Sequence, residues 1–83
     1  MTDEQPAAAR LEAMLRRIKP AIALQADGHL RRDMQLDSLD IMELLFEAEK
    51  AFRIRIPDED IADGQLLVWE RLVEYVQAKT SAR

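Results

Sequence analysis

The sequence predicts an all-α domain: a small four-helix bundle of three longer helices and one short helix, with a long loop between the first two. Three observations carry this. Apolar residues recur at helical spacing in three separated segments, around residues 11–18, 39–52 and 68–76. The single stretch that alternates like a strand, Arg53-Ile54-Arg55-Ile56, has no second strand to pair with and reads as an extended linker. Eighty-three residues suit one core, so 1–83 is taken as a single domain with 1–5 and 79–83 loose at its ends.

The elements follow in chain order. Pro6 fits a first helical position, because its missing N–H would be unpaired there anyway. Leu11, Met14, Leu15 and Ile18 then repeat at i, i+3, i+4 and i+7, so helix one is expected from about Pro6 to Lys19. Pro20 stops it by pushing Lys19 out of helical geometry. Ala21 to Leu36 is a loop, with Ile22, Leu24, Leu30, Met34 and Leu36 as apolar anchors and Asp27-Gly28 as a turn. A connection this long is uncommon in a small domain and often functional. Helix two is expected from about Ser38 to Phe52, with no Gly or Pro inside it. Pro57 precedes a short third helix near Asp58 to Ala62, which Asp63-Gly64 ends. The last helix is expected from about Leu67 to Ala78, with Val68, Leu72, Val73 and Val76 inward and Trp69 and Tyr75 supporting the core.

Helix two carries two apolar stripes. At ~100° per residue, Ile41, Leu44, Leu45, Ala48 and Phe52 share one arc, which should face the core. Leu39, Met42 and Phe46 fall nearly opposite, flanked by Glu43 and Glu49. A second stripe on so charged a helix is expected to meet a partner through Asp40, Met42, Glu43, Phe46 and Glu49. The competing possibility is a helix buried on both sides.

Charge and composition narrow the function. The net charge is −4, but residues 37–63 hold nine acids against Lys50, Arg53 and Arg55, a local sum of −6 that leaves +2 for the flanks. Such a field repels nucleic acid and anionic membrane and attracts basic protein surfaces. The absence of cysteine excludes disulfides and thiolate metal sites. His29 is the single histidine, so no metal-ligating set is read and it is expected as a surface loop residue. No apolar run reaches membrane length, and a cytoplasmic monomer is expected.

The head of helix two is the candidate site. Asp37 or Ser38 is expected to cap it, and Asp37 with Asp40 three residues on has the spacing of a capping box. A serine at a helix start sits beside unpaired N–H groups and the positive end of the helix dipole, where a phosphate ester is stabilised.

The longer run Asp33-Met34-Gln35-Leu36-Asp37-Ser38-Leu39-Asp40-Ile41-Met42-Glu43-Leu44, followed by Phe52-Arg53-Ile54-Arg55-Ile56-Pro57-Asp58-Glu59-Asp60, resembles the acyl carrier proteins. The resemblance is close from Leu30 to Ile61 and looser in the flanking helices. The usual Gly two residues before the Asp-Ser pair is Gln35 here, and the Thr that often opens the last helix is replaced near Leu67 and Val68. The resemblance implies a protein that is not itself an enzyme. It implies covalent phosphopantetheine on Ser38, with Asp37, Leu39 and Asp40 completing the attachment motif. A phosphopantetheinyl transferase would install the group from coenzyme A, and acyl-loading and acyl-processing enzymes with basic surfaces would then use it. Cargo would travel as thioesters in fatty-acid, polyketide or related biosynthesis, and the acyl chain would withdraw among Leu45, Phe52, Ile56 and Ile61. Two other classes are weighed beside this one. One is a cofactor-free helical adaptor that binds a basic partner through helix two. The other, weaker, is a small hydrolase using Ser38 with His29 as base.

Overall fold

The computed structural model describes residues 6–62 and 64–81. Four α-helices form: α1 (Ala7–Ile18), α2 (Ser38–Phe52), α3 (Asp58–Ala62) and α4 (Trp69–Ser81), with a 3₁₀ turn at Gln65–Leu67 just before α4. No strand forms among the described residues; the nearest approach to one is an isolated antiparallel bridge between His29 and Val68. The segment after α2 is accordingly a non-helical connection to Pro57.

α1 begins one residue later than expected. Pro6 is its N-cap, with extended ψ, and its carbonyl accepts from the Arg10 amide at 3.2 Å. Pro20 limits the other end as expected, and the Lys19 amide closes the last turn on Leu15 O. α2 and α3 span the ranges read from the sequence, whereas α4 starts at Trp69 because Gln65–Leu67 winds more tightly. α4 also runs further than expected. Residues 79–81 are helical rather than loose, and Thr80 Oγ1 donates to Val76 O at 2.7 Å. The remaining expected loose ends, 1–5 and 82–83, and Asp63 of the expected helix-three stop lie outside the described residues.

α1, α2 and α4 pack on one another and enclose a single core. Leu11 and Leu15 from α1, Leu44 and Ala48 from α2, and Leu72 and Val76 from α4 are fully enclosed. The first loop supplies Ile22, Leu30, Met34 and Leu36 to the same core, so it is a packed wall as much as a connection. Its backbone is fastened to the start of α4. Leu30 N donates to Leu67 O (2.7 Å), Trp69 N to Gly28 O (3.0 Å) and Glu70 N to Ala26 O (2.9 Å). Glycine is required at position 28 by space: a Cβ there would lie 2.9 Å from Gln25 Cβ and 3.2 Å from Met34 Cε.

α3 packs on the 3₁₀ turn and stands off α2. It is also tied to α4, where the Tyr75 hydroxyl donates to Asp60 Oδ2 at 2.5 Å. Burial first, and then the Asp60 carboxylate, raise the Tyr75 phenol well above its usual range. The gap left between α2 and α3 is the concavity that matters for function.

Two of the described non-glycine residues adopt left-handed geometry, Gln35 (φ 60°) and Arg53 (φ 56°). Arg53 ends α2, its amide and that of Ile54 both donating to Glu49 O. This is the cap that glycine usually provides. Gln35 makes the bend that delivers the chain to α2, and Lys19 Nζ donates to its carbonyl at 3.0 Å.

Candidate functional site

Asp37, not Ser38, caps α2. Asp37 is extended, its Oδ1 accepts from the Asp40 amide at 2.8 Å, and Asp40 Oδ2 returns the bond to the Asp37 amide at a long 3.5 Å. The capping box therefore forms with aspartate at both ends. The consequence for Ser38 is chemical freedom. It occupies the first helical position, is exposed, and its hydroxyl makes no hydrogen bond within the described residues. The amides of Ser38 and Leu39 belong to the first turn and have no intrahelical carbonyl to reach. Unpaired amides at a helix N-terminus are ready partners for an anion.

His29 offers Ser38 nothing. Its Nδ1 accepts from the Arg31 amide (3.1 Å) and the Arg32 amide (3.3 Å), its own N–H donates to Asp33 Oδ2 (2.7 Å), and the residue is half-buried rather than at the open surface. The imidazole is a bracket for the loop, so the serine-histidine pair that a hydrolase would need does not form.

The two stripes of α2 separate as the helical wheel requires. Ile41, Leu44, Leu45, Ala48 and Phe52 are buried, while Leu39, Met42 and Phe46 are 76%, 50% and 55% exposed. Burial on both sides is thereby ruled out. Glu43 is exposed beside the outer stripe, and Asp40 is half-exposed at its head. Glu49 has a different occupation. It is half-buried, and its Oε2 accepts from the Ile56 amide at 2.8 Å, which holds the segment after α2 against the helix. A carboxylate so engaged is a brace for the groove wall and not a free steering charge.

From Ser38 a groove of about 430 Å³ runs between α2 and α3, walled by Ile41, Leu45 and Ile56 on one side and Ile61, Ala62 and Leu67 on the other. Met42 and Phe46 form its outer lip. Leu45, Ile56 and Ile61 thus stand where an acyl pocket was expected. Phe52 does not line the groove; it is buried on the α1 side, with the Arg10 guanidinium 4.3 Å above its ring. The wheel placed Phe52 on the inner arc correctly, but that arc faces α1 at its C-terminal end and the groove nearer its head. Leu67 and Arg31 line the groove too and were missed. Arg31 sits in the first loop and Leu67 in the 3₁₀ turn, and neither segment has a periodicity that would mark a groove-lining side chain.

An exposed, unbonded hydroxyl on the first turn of a helix, opening on an apolar groove in a four-helix bundle, defines a carrier domain for a serine-linked phosphate arm. The comparisons with known proteins agree. A family model described as "Phosphopantetheine attachment site" matches residues 9–67. The chain is 40% identical over 50 residues to an acyl carrier protein of Rubrobacter xylanophilus, covering 60% of this chain and 59% of that protein. It is 38% identical over 55 residues to an acyl carrier protein of Aster yellows witches'-broom phytoplasma, covering 66% and 70%. It is 39% identical over 56 residues to one of Prochlorococcus marinus, covering 68% of each. The chain belongs to the phosphopantetheine-attachment family and, within it, to the acyl carrier proteins. Phosphopantetheine is its prosthetic group. The Ser38 surroundings fit that group: the oxygen is free to be esterified, the residue stands in the first turn of α2, and an apolar groove opens beside it.

Proposed function

We propose that Ser38 carries the phosphopantetheine and that the chain shuttles acyl intermediates between enzymes of fatty-acid, polyketide or related biosynthesis. The observation that carries this is the Ser38 hydroxyl, unbonded and exposed at the mouth of the α2–α3 groove. Its oxygen forms the new bond to the pantetheine-side phosphorus as the pyrophosphate linkage of coenzyme A breaks, adenosine 3′,5′-bisphosphate leaves, and the serine proton passes to a base supplied by the transferase. When bound, the group supplies a terminal thiol on which acyl cargo is held as a thioester. The chain's own part is to present the serine on a rigid helix and to shelter apolar cargo between Leu45, Ile56 and Ile61.

Delivery uses the outer face of α2. Leu39, Met42 and Phe46 form an apolar strip next to Glu43, and the acidic 37–63 segment draws in enzymes with basic surfaces. No described helix is long and apolar enough to cross a membrane.

The test is intact mass after incubation with coenzyme A and a promiscuous phosphopantetheinyl transferase. The wild-type chain should gain the mass of one phosphopantetheine, and Ser38→Ala should gain none while keeping its helical circular dichroism. Because Asp37 is the cap, Ser38→Ala costs less than the ~1 kcal/mol of a lost cap. Full modification of the alanine variant would refute the assignment.

A further inference from the structure

We propose that Arg31 is a positioning residue for the prosthetic group, its guanidinium holding the phosphodiester borne by Ser38 and fixing how the arm leaves the helix. This rests on Ser38 being the attachment point. Arg31 and Ser38 line the same groove, one from the first loop and one from the head of α2. Electrostatics makes a cation there useful. A phosphodiester on Ser38 adds negative charge beside Asp37 and Asp40, in a segment that already sums to −6. The first-turn amides offset part of that repulsion, and Arg31 is the basic side chain on the groove wall that can offset more.

Arg31 is also free to do so. All the other described cations in the first half of the chain but Arg32 are engaged: Arg10 with Ala51 O and the Phe52 ring, Arg16 with Glu12, Arg17 with Glu47, and Lys19 with Gln35 O. The Arg31 guanidinium makes no hydrogen bond or ion pair among the described residues, although Asp58 lines the same groove. Its backbone, by contrast, is held firmly. The Arg31 and Arg32 amides donate to His29 Nδ1, Leu30 N is bonded to Leu67 O, and Leu36 N returns to Leu30 O. With the backbone fixed, only the side-chain rotamers remain to be ordered on meeting a ligand, and the planar fork matches two phosphate oxygens.

Arg32 supplies the control. It is the next residue, equally exposed and also without a side-chain partner among the described residues, but it does not line the groove. Arg31→Ala and Arg32→Ala remove the same charge from nearly the same place. Apo and phosphopantetheine-bearing forms of wild type and both variants are prepared with coenzyme A and transferase and checked by intact mass. The readout is the melting temperature of the loaded form minus that of the apo form, at low salt and in ~1 M NaCl. Arg31→Ala should make this difference more negative than in wild type by about 1–6 °C at low salt, as befits an exposed charge pair in a domain this size. Arg32→Ala should leave it near the wild-type value, and high salt should bring all three together. Equal effects of the two variants, or none from Arg31→Ala, would overturn the proposal. Failure of the wild-type chain to take up the group at all would instead overturn the assignment of Ser38.

Discussion

Replacing Met42 and Leu44 by alanine, one at a time, separates the two stripes of α2 by their energetics. Leu44 is fully enclosed between the three longer helices, so Leu44→Ala removes buried methyl groups and leaves a cavity, a loss of about 2–5 kcal/mol. A domain of this length holds roughly 4–12 kcal/mol in total, so the variant sits close to the unfolding threshold. Met42 is half exposed. Full burial of a methionine side chain is worth about 1.5–3 kcal/mol, so truncating a half-exposed one forfeits roughly half of that, and the better helix propensity of alanine returns a few tenths. At about 4–8 °C per kcal/mol, Met42→Ala should lower the melting temperature by about 2–10 °C, and Leu44→Ala, at the same slope, by roughly twice that or more, as far as global unfolding. The same proteins are then assayed for modification by the transferase across a salt series. Folded Met42→Ala should bind more weakly with an unchanged salt slope, because an apolar anchor sets residence time. Glu43→Lys should slow modification and flatten the slope, because exposed charge sets encounter. Were Met42→Ala to melt with Leu44→Ala, the outer stripe would be core and its role as a docking face would fall.

Two further outcomes follow from backbone and hydroxyl chemistry. Gln35→Gly should raise stability by about 0.5–1 kcal/mol, since left-handed geometry costs a side chain ~1–2 kcal/mol and glycine returns part of that as unfolded-state entropy; a thermal melt with no upward shift would mean that the Gln35 bend is not strained. Tyr75 binds its proton more tightly folded than unfolded, so its contribution is intact below the ordinary phenol pKa of about 10 and is lost as pH climbs beyond it. Tyr75→Phe should lose about 1 kcal/mol at pH 8 with the Asp60 bond and fall less steeply than wild type between pH 9 and 11, and parallel pH profiles would refute that role.

The parts of this molecule that repeat were legible, and the parts that depend on distant contacts were not. Helical periodicity placed α2 and both of its faces, because a 15-residue amphipathic run encodes which side is wet. The capping box was legible from Asp37 and Asp40, yet the choice of Asp37 over Ser38 as cap is a matter of one residue in register that spacing alone leaves open. Glu49 looked like a surface acid because the amide it holds, that of Ile56, lies seven residues on and beyond the helix end. His29 looked like a surface residue because its partners are backbone amides, which carry no sequence signature. Phe52, expected at the groove, is not there, and Leu67, expected to open the last helix, is, for a related reason: which residues border the groove depends on where α3 stands off α2.

The anchoring of the first loop on Leu67, Trp69 and Glu70 bears on when the protein becomes competent during its own synthesis. The Asp-Ser-Leu-Asp run emerges from a ribosome well before the residues on which the loop beside it is seated. Until then Gly28, Leu30 and Arg31 have no platform, and the groove has only its α2 wall. These long-range contacts form late, after the local turns of α1 and α2. The serine motif is thus complete in the linear chain long before the loop and groove beside it, which are complete only once the start of α4 is in place.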